Sequence, residues 1–162
     1  MKKLSLLVLA FCIFGTALSA KDIYKMDFDK ETRGLVRKML IYKDPTWVSK
    51  VVTKDSKEFY FTSPKSMMEF YYNPEKWPDA KTAKSEDIKN LIVTDYKTLK
   101  GIDAKYAFFV YGSNKISFAG DDLPAFKNID DAKQFLKKNH GSRVLNFDQL
   151  TSGLIQLLNG DI

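Results

Sequence analysis

The 162-residue chain has one cysteine, Cys12, and one histidine, His140. A lone thiol forms no internal disulfide and builds no zinc ribbon or cysteine cage within one copy. A lone imidazole leaves the common nucleophile-plus-base pairs confined to carboxylate or lysine chemistry. A glycine-rich phosphate loop, a nucleophile elbow and a paired-histidine helix are also missing, so the sequence carries no enzyme signature. His140 stands at the end of a lysine-rich stretch before Gly141, where a solvent-facing residue suits a helix C-terminus; a ligand or base is the other reading. Eight glycines and five prolines are too few for a low-complexity or linker-dominated chain.

Long apolar runs are missing too, except at the start. Lys2 and Lys3 precede an apolar stretch over residues 4–15, and small residues Ala17, Ser19 and Ala20 follow before Lys21. That order is expected of a cleaved export signal over residues 1–20. The run is too short for a membrane span, which needs about 20 apolar residues. Cys12 loosely fits a lipidation site, but Phe11 stands where a small residue is wanted and the apolar run continues beyond it, so membrane anchoring is not expected. Cleavage after Ala20 would remove Cys12 and leave a domain without cysteine, suited to an oxidising compartment such as the periplasm. The net charge of +6 is dispersed, with Lys alternating with Asp and Glu, so no nucleic-acid partner is expected.

What remains is ordinary globular composition, 44% hydrophobic and 14% aromatic, enough for one core. Residues 21–36 read as an N-terminal arm rich in charge. Met39, Leu40, Ile41 and Tyr42 predict a short strand closed by Asp44-Pro45. Residues 47–53 and 58–62, joined by polar Lys54-Asp55-Ser56-Lys57, predict a β-hairpin. Ser63-Pro64 then predicts a helix start, with apolar spacing through Tyr72 and a stop at Asn73-Pro74. Residues 91–96 predict another strand.

The pattern then repeats. Residues 105–111 and 115–119, around Gly112-Ser113-Asn114, predict a second hairpin. A helix capped by Asn128 should follow, with Asp130 and Asp131 in its first turn, Lys137 and Lys138 in its last, and Ile129, Ala132, Phe135 and Leu136 as its buried stripe. A last strand at 144–147 and a helix capped by Asp148, burying Leu150, Leu154, Leu157 and Leu158, complete the chain. The expectation is an α+β fold: one small domain made of two related β-hairpin–helix halves, since neither hairpin covers its apolar face alone.

Asp121-Asp122 and Asp130-Asp131 lack the alternating oxygen ligands of a calcium loop and fit a turn and a helix N-terminus instead. Met39, Met67 and Met68 are soft thioethers of the kind that select Cu(I), and they survive oxidising conditions. Methionines on a strand and an aromatic helix are also ordinary core fillers.

The run Arg37-Lys38-Met39-Leu40-Ile41-Tyr42-Lys43-Asp44-Pro45, then Trp47-Val48, the Lys54 to Phe61 hairpin and Ser63-Pro64-Lys65-Ser66-Met67, resembles the NosL family of nitrous oxide reductase accessory proteins. The similarity continues through residues 91–96, 106–110, 123–126 and 131–141, so that residues 37–162 form the NosL-like domain. The resemblance implies an exported Cu(I)-binding protein that delivers copper for nitrous oxide reductase, with that enzyme or its maturation machinery as partner. It also implies an α+β fold of two related halves, one thought to be shared with an organomercurial lyase whose chemistry needs cysteines absent here. The family's first segment commonly reads Cys-Gly-Met, and the matching positions here are Arg37-Lys38-Met39. Where the family often shows Pro-Met-Gly, this chain has Ser117-Phe118-Ala119. Both departures remove soft donors, and the resemblance carries only Met39, with Met67 and Met68 on the matching helix, into a candidate copper set. The alternative is a metal-free periplasmic interaction module that holds its partner through Tyr60, Tyr71, Tyr72 and Trp77.

Overall fold

A polar turn between two apolar runs forms the first hairpin. A computed structural model describes residues 24–80 and 84–162; the expected export signal and Cys12 lie outside the described residues. Strands β1 (Ser49–Thr53) and β2 (Glu58–Phe61) pair antiparallel, Ser49 opposite Phe61 and Val52 opposite Glu58. Helix α1 (Pro64–Tyr72) starts where its sequence predicts, because the Ser63 side chain accepts from the Ser66 N–H and Ser66 answers from its own hydroxyl. The chain returns as β3 (Ile88–Thr94), on the other side of β1, and β4 (Gly101–Asp103) extends the sheet to the order β2-β1-β3-β4.

The second half uses the same order. Strand β5 (Phe108–Tyr111) is central, β6 (Ala125–Phe126) lies on one side, and β7 (Arg143–Leu145) returns on the other after helix α2 (Ile129–Lys138). Strand orders β2-β1-β3 and β6-β5-β7 therefore repeat one ββαβ unit, as the doubled pattern predicts. The C-terminal helix α3 (Ser152–Asn159) packs against α1. One core joins the halves: Phe61, Met67, Met68 and Phe70 from the first share it with Phe109, Leu145, Leu150 and Ile155 from the second. A parallel bridge between Asp95 and Ala125 links the two sheets, and the buried Asp95 carboxylate accepts from the Lys127 N–H and the Thr98 hydroxyl.

Several local expectations are corrected. Residues 115–119 are no strand; the partner of β5 comes six residues later, and Ile116 is 61% exposed. Residues 112–124 instead form a loop turned at Gly112 and Gly120, both with positive φ, and closed by the Ser117 N–H donating to the Asp121 carbonyl while the Ser117 hydroxyl oxygen accepts from the Asp121 N–H. Residues 39–42 are not a strand either. Leu40 makes an isolated bridge with Arg33, and Ile41–Lys43 form one 3-10 turn. Thr151 rather than Asp148 caps α3, since a 3-10 turn at Phe147–Gln149 intervenes, and Leu157 is 52% exposed. Ile129 also faces outward. The arm is docked over its described part: Tyr24 bridges Gly101, and the Lys50 ammonium donates to the Lys25 carbonyl. No helix among the described residues is long and apolar enough to cross a membrane.

Three partly buried phenols give an alkaline signature. Burial pushes Tyr60, Tyr72 and Tyr96 above the ordinary value of 10.0, helped by the Glu58 charge at Tyr60, the Tyr71 hydroxyl beside Tyr72 and the Asp44 charge near Tyr96. A raised folded value means that the folded state holds the proton longer than the unfolded chain. The contribution is whole below pH 10.0, the ordinary phenol value, and is lost as pH rises through the folded values. Stability should therefore fall above that pH, with part of the phenolate absorbance appearing only as the chain unfolds. A single homogeneous titration, complete while far-ultraviolet circular dichroism still reports the native fold, would contradict this.

Candidate functional site

The predicted metal ligands fall into two environments. Met67 and Met68 project from α1 into the core and have no accessible surface, whereas Met39 is 37% exposed on the segment leading into the Ile41–Lys43 turn. Among the described residues, no cluster of three or more His, Cys, Asp or Glu could hold a metal ion. The predicted partner residues are half-buried and engaged. Tyr60 donates to the Asp27 carbonyl and stacks edge-on with Phe28; Tyr72 donates to the Leu150 carbonyl at 2.6 Å; Tyr71 meets Tyr72 and Phe147 edge-on; Trp77 packs on Phe70. These four rings flank the core; Tyr60 anchors the arm, and Tyr71 and Tyr72 anchor the segment before α3.

Beside Met39 the backbone is specialised. Lys38 has φ of 55°, the left-handed region that favours glycine. The turn is closed by hydrogen bonds from Lys38 N–H to Gly34 O at 2.8 Å and from Gly34 N–H to Met39 O at 2.9 Å. The Lys38 ammonium reaches Asp79 at 2.7 Å, and Asp79 is held below the usual carboxylate range by that hydrogen bond and charge.

The same turn aims Arg37 inward, into a buried charge network that sequence reading did not find. The Arg37 guanidinium lies 3.1 Å from Asp121 and 3.0 Å from Glu69. Asp121, 1% exposed, also takes the Lys65 ammonium at 3.0 Å and the Ser63 hydroxyl at 2.7 Å. Lys65 donates further to the Leu158 carbonyl, and Arg37 to Asn159, so the network ties α1 and α3 to the loop before β6. Glu69 Oε2 is buried without a hydrogen bond of good geometry, which leaves it to charge attraction from Arg37. The next residue, Asp122, is raised by burial, against hydrogen bonds from the Leu123 and Gly112 N–H groups and the charge of Lys65.

The fold thereby brings Arg37 and the loop after β5 together, although they are far apart in sequence. Within that loop Ser117 closes on Asp121, to which Arg37 is paired. The network balances two cations against two anions. A guanidinium offers no lone pair to a metal, and an incoming cation finds no net attraction here. The signal available in the sequence was Lys65 and Glu69, one turn apart and the only charged residues of a helix rich in methionine and aromatics.

The NosL family model matches residues 25–155. Among solved structures the chain is similar to the crystal structure of the copper chaperone NosL from Shewanella denitrificans, with a TM-score of 0.66 and 23% identity, over 82% of this chain and 99% of that one. That likeness shows the fold. No curated protein matches the chain.

Proposed function

The chain belongs to the NosL family, and from that premise we propose an exported accessory protein of the copper-chaperone type, acting in the periplasm in the assembly of nitrous oxide reductase, with a weakened grip on Cu(I). Copper is cargo in this reading, received and passed on rather than used for catalysis, and the protein is not an enzyme. The observation that carries it is the environment of residues 37–39. The left-handed backbone at Lys38 is one that the glycine of the family's Cys-Gly-Met would adopt without cost, which supports matching Arg37 to the cysteine and Met39 to the methionine. Met39 is then the one accessible thioether of the candidate set, while the thiolate position holds a guanidinium committed to Asp121 and Glu69. A single neutral sulfur binds Cu(I), but without the charge and second donor that make such a site tight.

Titration of the mature chain, without residues 1–20 and the Cys12 thiol they carry, with Cu(I) against a competing chelator tests this. The expected result is weak binding that the chelator outcompetes, reduced further in Met39→Leu. Tight one-to-one binding abolished by Met39→Leu would show an intact site and overturn the weakening.

A metal-free interaction module is the second reading, favoured by the complete burial of Met67 and Met68 in the core. Absence of any Cu(I) binding, with Met39→Leu indistinguishable from the parent, would select it.

A further inference from the structure

Away from the network at Arg37, an open cleft of about 650 Å³ lies between α2 and the segment Asp95-Tyr96-Lys97 that follows β3. Tyr96, Phe126 and Phe135 form its floor, with ring centroids 4.9 to 5.7 Å apart. The floor is pre-formed. Tyr96 is backed by Trp47 and its N–H donates to the Ala125 carbonyl at 2.8 Å, while Asp95 fixes the backbone at Lys127.

The rim is cationic, from Lys97, Lys115 and Lys138. Lys97 is committed to Asp131 at 2.5 Å, which cancels that pair of charges. Lys115 and Lys138 make no ion pair among the described residues, so the cleft presents two uncompensated ammonium groups above an aromatic surface. The Asn139 amide, although at the cleft, is spent on the Phe135 carbonyl.

We propose that this cleft docks an acidic segment of a partner protein, an extended stretch in which an aromatic side chain is flanked by carboxylates. Three features select that occupant. The cleft is open to solvent rather than enclosed, which suits a peptide segment better than a buried small molecule. Its aromatic floor gains energy by burying a ring, the main source of affinity. Bare aromatic faces would also attract a cation, but the lysines on the rim oppose one and steer an anionic chain instead. The proposal stands apart from the copper reading, because no residue of the cleft belongs to the turn at Met39 or to the network at Asp121.

Nuclear magnetic resonance titration of the isotope-labelled full chain with the peptide Glu-Asp-Phe-Asp-Glu tests it. Saturable shifts should cluster on Tyr96, Lys97 and α2, weaken with added salt, and weaken again for Glu-Asp-Ala-Asp-Glu. The double variant Lys115→Glu/Lys138→Glu, which turns two exposed attractions into repulsions, should lose about tenfold in affinity at unchanged melting temperature. The proposal is overturned if no saturable shifts occur, if they map elsewhere, if Lys-Arg-Phe-Arg-Lys binds as tightly, or if the folded double variant binds like the parent. If that variant does not fold, the salt and alanine-peptide results on the unmodified chain decide alone.

Discussion

Asp121→Asn is expected to destabilise the protein by about 3–5 kcal/mol, the cost typical of removing one partner from a buried ion pair. The substitution barely changes side-chain volume, so the loss reports charge and not packing. With the negative charge gone, Lys65, 8% exposed at its side chain, keeps no ion-pair partner and only neutral acceptors such as the Leu158 carbonyl, while Arg37 keeps Glu69 and Asn159. Asparagine keeps one acceptor oxygen, so either the Ser63 hydroxyl or the two cations face an amide NH2 where the carboxylate offered an oxygen to each. Thermal unfolding should fall by roughly 10–15 °C for a domain of this size. Replacing Arg37, Lys65, Glu69 and Asp121 together by apolar residues should recover much of the loss, because the desolvation cost of all four charges disappears at once. A loss below about 1 kcal/mol for Asp121→Asn would mean that solvent screens these charges, and the account of the network as a tie between α1, α3 and the loop would fail.

Phe70→Ala should cost as much through a different mechanism. Phe70 is 1% exposed and touches three other rings, Phe59 and Phe61 of β2 and Trp77 beyond the helix, at centroid distances of 6.0, 5.4 and 6.0 Å. Truncation removes buried apolar area and leaves a cavity walled by rigid rings that collapse poorly, about 3–5 kcal/mol in chemical denaturation. Tyr106→Ala is the control: at 77% exposure it should stay within about 0.5 kcal/mol of the parent. Equal losses from both variants would contradict the assignment of Phe70 to the junction of hairpin and helix. Against a total stability of about 5–15 kcal/mol, either large loss takes a substantial share of the margin.

The first half was legible because its signals are local. Lys54-Asp55-Ser56-Lys57 breaks two β-prone runs, and Ser63-Pro64 sets a helix start whose hydrogen bonds lie within four residues. In the second half, Lys115-Ile116-Ser117-Phe118-Ala119 alternates like a strand yet forms a loop. Its alternation has no sheet to face, and the backbone there is committed to delivering Asp121 to Arg37 and Lys65. Thr151 caps α3 in place of Asp148 because Asn146 and Gln149 close a capping box of their own around a 3-10 turn. The candidate site was half legible. Family resemblance drew attention to residues 37–39, but the pairing of Arg37 with Asp121 spans 84 positions and has no local trace.

Composition and short-range pattern by themselves determined that this chain has no internal disulfide or thiol chemistry to draw on once Cys12 is set aside, that it forms a doubled α+β unit, and that α1 begins at Ser63-Pro64. Those properties depend on residue type and on contacts a few positions apart. Tertiary structure alone decided that Met67 and Met68 are core while Met39 is accessible, that Arg37 is paired with the buried Asp121, and that two lysines border an aromatic floor. Burial and charge pairing belong to surfaces that meet only when the two halves close on one another, and no stretch of sequence contains both sides of such a contact.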